Sequence, residues 1–132
     1  MPTTNDILAE WVLGFSLDQV PVAVVKSTVW RVLDIVGAML AGRDTELVEH
    51  LCDAYPSVSS GIQLVGIADL HSTEEAALIM ATMGCVLEFD DSHVATGIHA
   101  STPVVATALS LGSQNCINGH QLIEAVLVGN EL

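Results

Sequence analysis

Cationic residues are scarce in this chain, and their scarcity excludes whole classes of protein. Lysine and arginine together number 3 among 132 residues, against 16 aspartates and glutamates, for a formal charge of −13 at pH 7. Nucleic-acid binding depends on cationic contacts to phosphate, so we expect no nucleic-acid partner.

The three cysteines, Cys52, Cys85 and Cys116, form no CxxC pair, which argues against disulfide frameworks and zinc ribbons. We expect them to be small buried residues.

Long apolar runs and targeting signals are also lacking. The most apolar stretch, 20–40, is interrupted by Lys26, Arg31 and Asp34. No segment therefore reaches the roughly 18 apolar residues of a membrane span. The first residues have neither the basic and apolar parts of a signal peptide nor the arginines of a mitochondrial presequence. We expect a cytoplasmic protein with no membrane partner.

The apolar half of the chain favours helices. Aromatic residues supply 4% of the sequence, and most apolar residues are Ala, Val, Leu and Ile, which suit closely packed helices. Apolar spacing predicts an all-α fold with helices over 5–15, 21–40, 45–54, 72–89, 102–111 and 119–129. The second helix is apolar nearly all round, so we expect burial on several sides. We expect Trp11 and Trp30 in the core, and one short extended piece at 62–67.

Several boundaries carry their own signals. Ser72 followed by Glu75 has the spacing of a capping box, and Asn118 is a favourable N-cap. Pro21 suits the first turn of a helix, where its missing N–H costs nothing. The length is sufficient for one domain with a core.

One polar cluster stands out in the otherwise apolar second half of the chain. It contains three acids and two histidines: Glu88, Asp90, Asp91, His93 and His99. Crowded carboxylates repel one another and lose hydration when buried, so such a cluster is costly unless it binds a ligand or transfers protons. The predicted helix end at Phe89 is also a poor place for anions, because a helix C-terminus carries partial negative charge.

Three interpretations of this cluster are open on residue chemistry alone. It can be a solvated loop whose acids cap backbone groups. It can be a divalent-metal site built from Asp90, Asp91, His93 and His99, although no established metal-binding spacing is present. It can also be an acid–base site, in which a carboxylate orients an imidazole that exchanges protons with a substrate.

The cluster also resembles the signature of the MmgE/PrpD family. Residues 87–93 match a Leu-acid-Phe-Asp-Asp-Thr/Ser-His stretch, and 99–103 match the His, small residues and Pro that follow it. Residues 33–42, 76–87 and 119–129 are similar to the family's helices in the same order. The resemblance implies that 1–132 form the N-terminal portion of the family's helical domain, with the lid domain and C-terminal helical part outside these residues.

The resemblance implies an enzyme that needs neither a cofactor nor a metal. The family includes 2-methylcitrate dehydratases, cis-aconitate decarboxylases and an iminodisuccinate epimerase, which act on small di- and tricarboxylates by proton transfer next to a carboxylate. By position, the resemblance assigns His99, Asp90 and Asp91 to catalysis and Ser92, Glu88 and His93 to substrate binding. Glu88 stands where several members have Asp. A dehydratase is our leading prediction, with a decarboxylase or an epimerase as alternatives.

Charge limits this prediction. A citrate-like substrate carries two or three negative charges, and burying it beside acids without cations is unfavourable. No basic residue lies near the cluster in sequence, so we expect this chain to supply half of an active site and to be inactive alone. The competing prediction is a non-catalytic, self-associating helical module. For both we expect exposed apolar surface and a homo-oligomer, most simply a dimer.

Overall fold

Six helices and one very short hairpin make up the structure. A computed structural model describes all residues, 1–132, and confirms the all-α fold class. The elements are α1 (Thr4–Gly14), α2 (Val22–Gly42), α3 (Glu46–Ala54), β1 (Ile62–Gln63), β2 (Leu70–His71), α4 (Thr73–Cys85), α5 (Ser101–Gln114) and α6 (Gly119–Glu131). No helix combines the length and apolar character needed to cross a bilayer.

The predicted helix starts are confirmed where side chains cap them. In the capping box of α4, the Glu75 backbone N–H donates to Ser72 Oγ at 3.3 Å, and the Ser72 N–H donates to Glu75 Oε2 at 3.1 Å. Asn118 and Gln121 form the same reciprocal pair at the start of α6. Pro21 is the N-cap of α2 and precedes its first turn, one position earlier than predicted.

The core forms where α4 packs between α2 and α5. Its most buried side chains include Ile35 from α2, Ile79 and Met83 from α4, and Val105 from α5, all without solvent exposure. A Cβ on Gly84 would lie 2.7 Å from the Thr102 side chain. The absence of a side chain there lets the end of α4 approach the beginning of α5 closely, and this approach positions the candidate site.

Helix α4 ends at Cys85, four residues before the predicted boundary at Phe89. The chain leaves the helix through Glu88, which has a left-handed φ of 56°. This turn brings Asp90 back under the start of α5, where it makes buried contacts. Tertiary contacts of Asp90 therefore override the helical pattern of the preceding residues.

The extended segment is shorter than predicted and has an unpredicted partner. Only Ile62–Gln63 is a strand, and it pairs antiparallel with Leu70–His71, with Ile62 opposite His71. The chain turns at Gly66, whose φ of 74° is left-handed. A two-residue strand is too short to show the alternation from which strands are predicted.

Burial of the N-terminal helices differs from expectation. One side of α2 is buried and the other is open, and Trp30 is 71% exposed. Helix α1 has no buried residue, so Trp11 also lies outside the core. Cys85 and Cys116 are exposed and Cys52 is half-buried. The predictions of core tryptophans and buried cysteines are therefore wrong, because apolar character alone does not say which faces find partners.

Candidate active site

The loop between α4 and α5 carries all the predicted site residues. Its centre is folded back on itself by a bridge between His93 and Ile98, in which the His93 N–H donates to the Ile98 carbonyl at 2.9 Å. This bridge returns the chain so that His99 lies near Asp90. The geometry places residues nine positions apart in direct contact.

Asp90 is the buried centre of the site. Its side chain is 1% exposed. The Thr102 hydroxyl donates to Oδ2 at 2.6 Å, and His99 Nδ1 lies 3.2 Å from Oδ1. Because a carboxylate only accepts hydrogen bonds, this contact assigns the proton to Nδ1 and leaves the Nε2 lone pair free. A buried carboxylate thus orients an imidazole and fixes which nitrogen is basic.

Asp91 lies beside Asp90 but has different partners. The Ser101 hydroxyl is 2.6 Å from Asp91 Oδ2, and Arg31 Nε is 3.3 Å from the same oxygen. The other oxygen, Oδ1, is buried and has no hydrogen-bond partner. Ser101 also contacts Asn130 Oδ1 at 3.0 Å. Since one hydroxyl proton cannot serve both acceptors, the shorter contact to the carboxylate takes it.

The position of the aspartate pair explains how the fold tolerates it. Ser101 and Thr102 are the first two residues of α5, and each donates its hydroxyl proton to one aspartate. The two carboxylates therefore lie at a helix N-terminus, which attracts anions, and not at the end of α4 as the sequence suggested. Helix α5 has no side-chain cap of its own and no acidic residue in its first turn.

His99 is open to a ligand on the side away from Asp90. Its side chain is 39% exposed. The Ser92 hydroxyl lies 3.2 Å from His99 Nε2 and 3.5 Å from Nδ1. An oxygen in line with the Nε2 lone pair would lie much farther from Nδ1, so Ser92 sits beside the ring and not on that axis. This geometry suits a hydroxyl that contacts the same ligand better than a nucleophile activated by the imidazole.

Two predicted site residues stand apart from this hydrogen-bonded cluster. His93 Nδ1 contacts Thr96 Oγ1 at 2.8 Å within the exposed part of the loop. Glu88 is exposed and its side chain makes no hydrogen bond. The structure thus joins Asp90, Asp91, Ser92 and His99, directly or through neighbours, and leaves the substrate-binding roles of Glu88 and His93 as predictions.

Replacing Glu88 by glycine is expected to stabilise the protein by roughly 1 kcal/mol, because the left-handed backbone conformation is unfavourable for a residue that carries a Cβ and not for glycine. The midpoint of urea unfolding measures this change. Glu49→Gly is the matched control, since Glu49 is an exposed glutamate within α3 and its replacement should cost about 1 kcal/mol. A loss of stability in Glu88→Gly would show that the Glu88 side chain contributes a contact that the structure lacks.

Sequence reasoning missed four residues of the site: Arg31, Ser101, Thr102 and Asn130. The expectation that no cation lies at the cluster is wrong for Arg31, which is 60 positions from Asp91 and reaches it because α2 packs alongside α4. Nothing in the local sequence could signal this contact. Ser101 and Thr102 did carry a signal, since two consecutive hydroxyl residues follow His99 and Ala100 at a predicted helix start.

Neighbouring groups do not offer a competing reactive centre. Although Cys85 is exposed as a residue, partial desolvation of its thiol raises the pKa, and the nearby Asp90 carboxylate raises it further, so Cys85 is a weak nucleophile at neutral pH. No group of three or more His, Cys, Asp and Glu side chains is placed to hold a metal ion, so the metal-site interpretation has no structural support. A cavity of about 540 Å³ between α5 and α6 contains none of the cluster residues.

Comparison with known families identifies the family of this chain. The family model described as the MmgE/PrpD N-terminal domain matches residues 6–132, which is nearly the whole chain. The chain belongs to the MmgE/PrpD family. The suspected family and the N-terminal location within it are thereby confirmed. Neither the comparison with curated proteins nor that with solved structures gives a match.

Proposed function

We propose that this chain is the N-terminal helical part of a cofactor-independent lyase of the dehydratase type, acting on a small di- or tricarboxylate such as 2-methylcitrate. The observation that carries the proposal is the Asp90–His99 contact, in which a fully buried carboxylate holds a partly exposed imidazole. A buried acid beside an accessible base is the arrangement expected for proton transfer.

The chemistry follows from this pair. His99 Nε2 removes a proton from the carbon next to a substrate carboxylate, and the electron pair of that C–H bond forms a carbon–carbon double bond. The C–O bond of the neighbouring hydroxyl breaks, and the hydroxyl leaves as water with the proton that His99 has taken up, which returns the imidazole to its neutral form. Asp90 keeps the ring oriented and stabilises the imidazolium that forms, Asp91 lies beside it, and Ser92 donates a hydrogen bond to substrate.

Decarboxylation and epimerisation are alternatives that use the same proton transfer. In the first, loss of carbon dioxide provides the electron pair and His99 supplies the proton; in the second, the proton returns on the opposite face. The products distinguish the three reactions. For every one of them the substrate is anionic, and we propose that further cations and a lid come from segments outside residues 1–132 or from another chain.

Calorimetric titration of the 132-residue chain with 2-methylcitrate and with cis-aconitate tests the proposal. We expect saturable binding with a dissociation constant in the millimolar range, since only part of the site is present. Propionate, with one carboxylate, is the control ligand and should bind more weakly. Absence of binding by both polycarboxylates would contradict a carboxylate site and favour the non-catalytic module.

The second candidate, a self-associating helical module, is favoured by the open side of α2. Four of its six exposed large apolar residues recur at intervals of four or seven positions, as in the contact seam of a helix pair: Val22, Val29, Leu33 and Leu40. Helix α2 contains Lys26 and Arg31 against one acid, Asp34, whereas the whole chain is strongly negative. Two copies can therefore pair through α2 without strong repulsion, so we propose a homodimer through this face.

Leu33→Asp is expected to shift this dimer to monomer, because the pairing would bury two carboxylates in an apolar seam. Sedimentation equilibrium of the variant and the wild type measures the change. Leu13→Asp is the matched control, since Leu13 is 87% exposed on α1 and lies outside the α2 face. Equal dimer populations in both variants, or a monomeric wild type, would exclude α2 as the interface.

A further inference from the structure

We propose that Arg31 binds one carboxylate of the substrate, on the Asp91 side of the aspartate pair. The inference rests on the proposed function and names a residue of that site. Arg31 comes from the middle of α2, far from the loop in sequence, and contacts Asp91 Oδ2 through Nε at 3.3 Å. It brings a fixed positive charge to a cluster that otherwise contains acids, hydroxyls and imidazole.

The donors of Arg31 are available to a ligand. A guanidinium has five N–H donors in a planar fork, and the contact with Asp91 is an ion pair in which none of these donors makes a hydrogen bond. The Arg31 side chain is 36% exposed. One edge of the fork can therefore stay beside Asp91 while Nη1 and Nη2 take a carboxylate in the bidentate geometry that arginine favours.

Arg31 and His99 contact the two neighbouring members of one aspartate pair. His99 contacts Asp90 and Arg31 contacts Asp91, and these aspartates are consecutive residues whose Cα atoms are ~3.8 Å apart. Both aspartates are held by neighbouring hydroxyls at the start of α5. This arrangement supports the proposal that one small dicarboxylate contacts both Arg31 and His99.

The site contains both buried and solvent-exposed side chains. Asp90, Ser101 and Thr102 are nearly inaccessible to solvent. Arg31 and His99 are each more than one-third exposed. The two groups that can act on a ligand are therefore accessible, as is the Asp91 side chain at 39% exposed, whereas Asp90 and the two hydroxyl donors are buried.

Arg43 provides a matched control for Arg31. It is the other arginine of the chain, is 40% exposed, and also contacts an aspartate through Nε, at 3.2 Å from Asp44. Its Nη1 donates to the Gly66 carbonyl, and it contacts none of the cluster residues. Removing either arginine changes the net charge equally, but only the loss of Arg31 removes a donor next to the aspartate pair.

Calorimetric titration with citrate compares wild type, Arg31→Gln, Arg31→Lys and Arg43→Gln. We expect the citrate dissociation constant to rise about tenfold in Arg31→Gln and by less in Arg31→Lys, which keeps the charge but loses the fork. Arg43→Gln should stay within about twofold, since a distant exposed charge acts weakly through solvent. Unchanged thermal unfolding of the variants shows that binding, and not folding, has changed.

A second readout separates ligand contact from a structural role of Arg31. In ¹H–¹⁵N spectra of the wild type, citrate should shift and sharpen the Arg31 guanidinium resonances, which are identified by their absence in Arg31→Lys. If the wild type binds citrate while these resonances stay unchanged and Arg31→Gln binds like Arg43→Gln, the role of Arg31 is overturned and the proposed function stands. If the wild type binds neither citrate nor 2-methylcitrate, the proposed function fails, and the role of Arg31 fails with it. If it binds 2-methylcitrate alone, the same four proteins are compared with that ligand.

Discussion

His99→Ala is expected to lower the turnover of 2-methylcitrate by 10²- to 10⁴-fold in the complete enzyme of which this chain is proposed to be the N-terminal part. The range is that of losing a positioned proton-transfer group. The KM should change much less than kcat, because the imidazole acts on the C–H bond as it breaks and contributes little to ground-state binding. Product formation followed by NMR measures both constants.

His50→Ala is the control for this substitution. His50 is also an imidazole beside a carboxylate, 4.0 Å from Glu46 Oε1, but its side chain is 68% exposed on α3. Its replacement should leave turnover unchanged. Near-normal turnover of His99→Ala, or equal losses in the two variants, would remove His99 from catalysis and leave the buried pair with a structural role.

Gly42→Ala is expected to destabilise the protein by roughly 3 kcal/mol, at the upper end of the usual cost of overpacking. Gly42 is the last residue of α2, and a Cβ there would lie 2.2 Å from the Met83 carbonyl oxygen and 2.7 Å from Val86 Cγ1. The carbonyl belongs to the α4 backbone and cannot rotate away. The helices would have to separate at the crossing that holds the end of α4 next to the site.

Gly37→Ala, in the same helix, is the matched control. A Cβ on Gly37 meets nothing within 4 Å, so alanine should stabilise α2 by up to about 1 kcal/mol through its higher helix propensity. Urea unfolding of both variants gives the two changes in free energy. The same sign in both variants would show that α2 and α4 do not cross at Gly42 as described.

Sequence signals that arise from contacts within one helical turn, such as capping residues, predicted much of this fold. Ser72 and Glu75 cap α4 by reciprocal bonds three residues apart, and such bonds depend on nothing outside that turn. The end of α4 could not be predicted in this way. It depends on Asp90 returning under α5, a contact that no helical pattern records.

The same distinction between local and long-range contacts applies to the candidate site. Asp90 and His99 lie in one loop, so their proximity could be predicted from spacing, with the family resemblance pointing to His99. Arg31 could not be predicted, since its contact with Asp91 depends on how α2 packs against the rest of the bundle. The exposure of Trp30 escaped prediction for a related reason, because a helix that is apolar all round gives no indication of which side stays open.

The position of the aspartates also changes how their charge is understood. The sequence suggested two anions at a helix C-terminus, where the dipole would oppose them. The structure puts both under the N-terminus of α5, with hydroxyl donors and one arginine. The two carboxylates therefore lie in a favourable electrostatic environment, and the chain places a cation as well as an imidazole next to them.

The ¹⁵N NMR spectrum of the His99 ring, recorded with and without 2-methylcitrate, tests the proposed role of the Asp90–His99 pair most directly. We expect a proton fixed on Nδ1 by Asp90, a free lone pair on Nε2, and a saturable shift of Nε2 when the ligand is added. Asp90→Asn, recorded in parallel, should lose the fixed Nδ1–H state. A proton on Nε2 in the wild type, with ring signals that do not respond to 2-methylcitrate, would contradict the account.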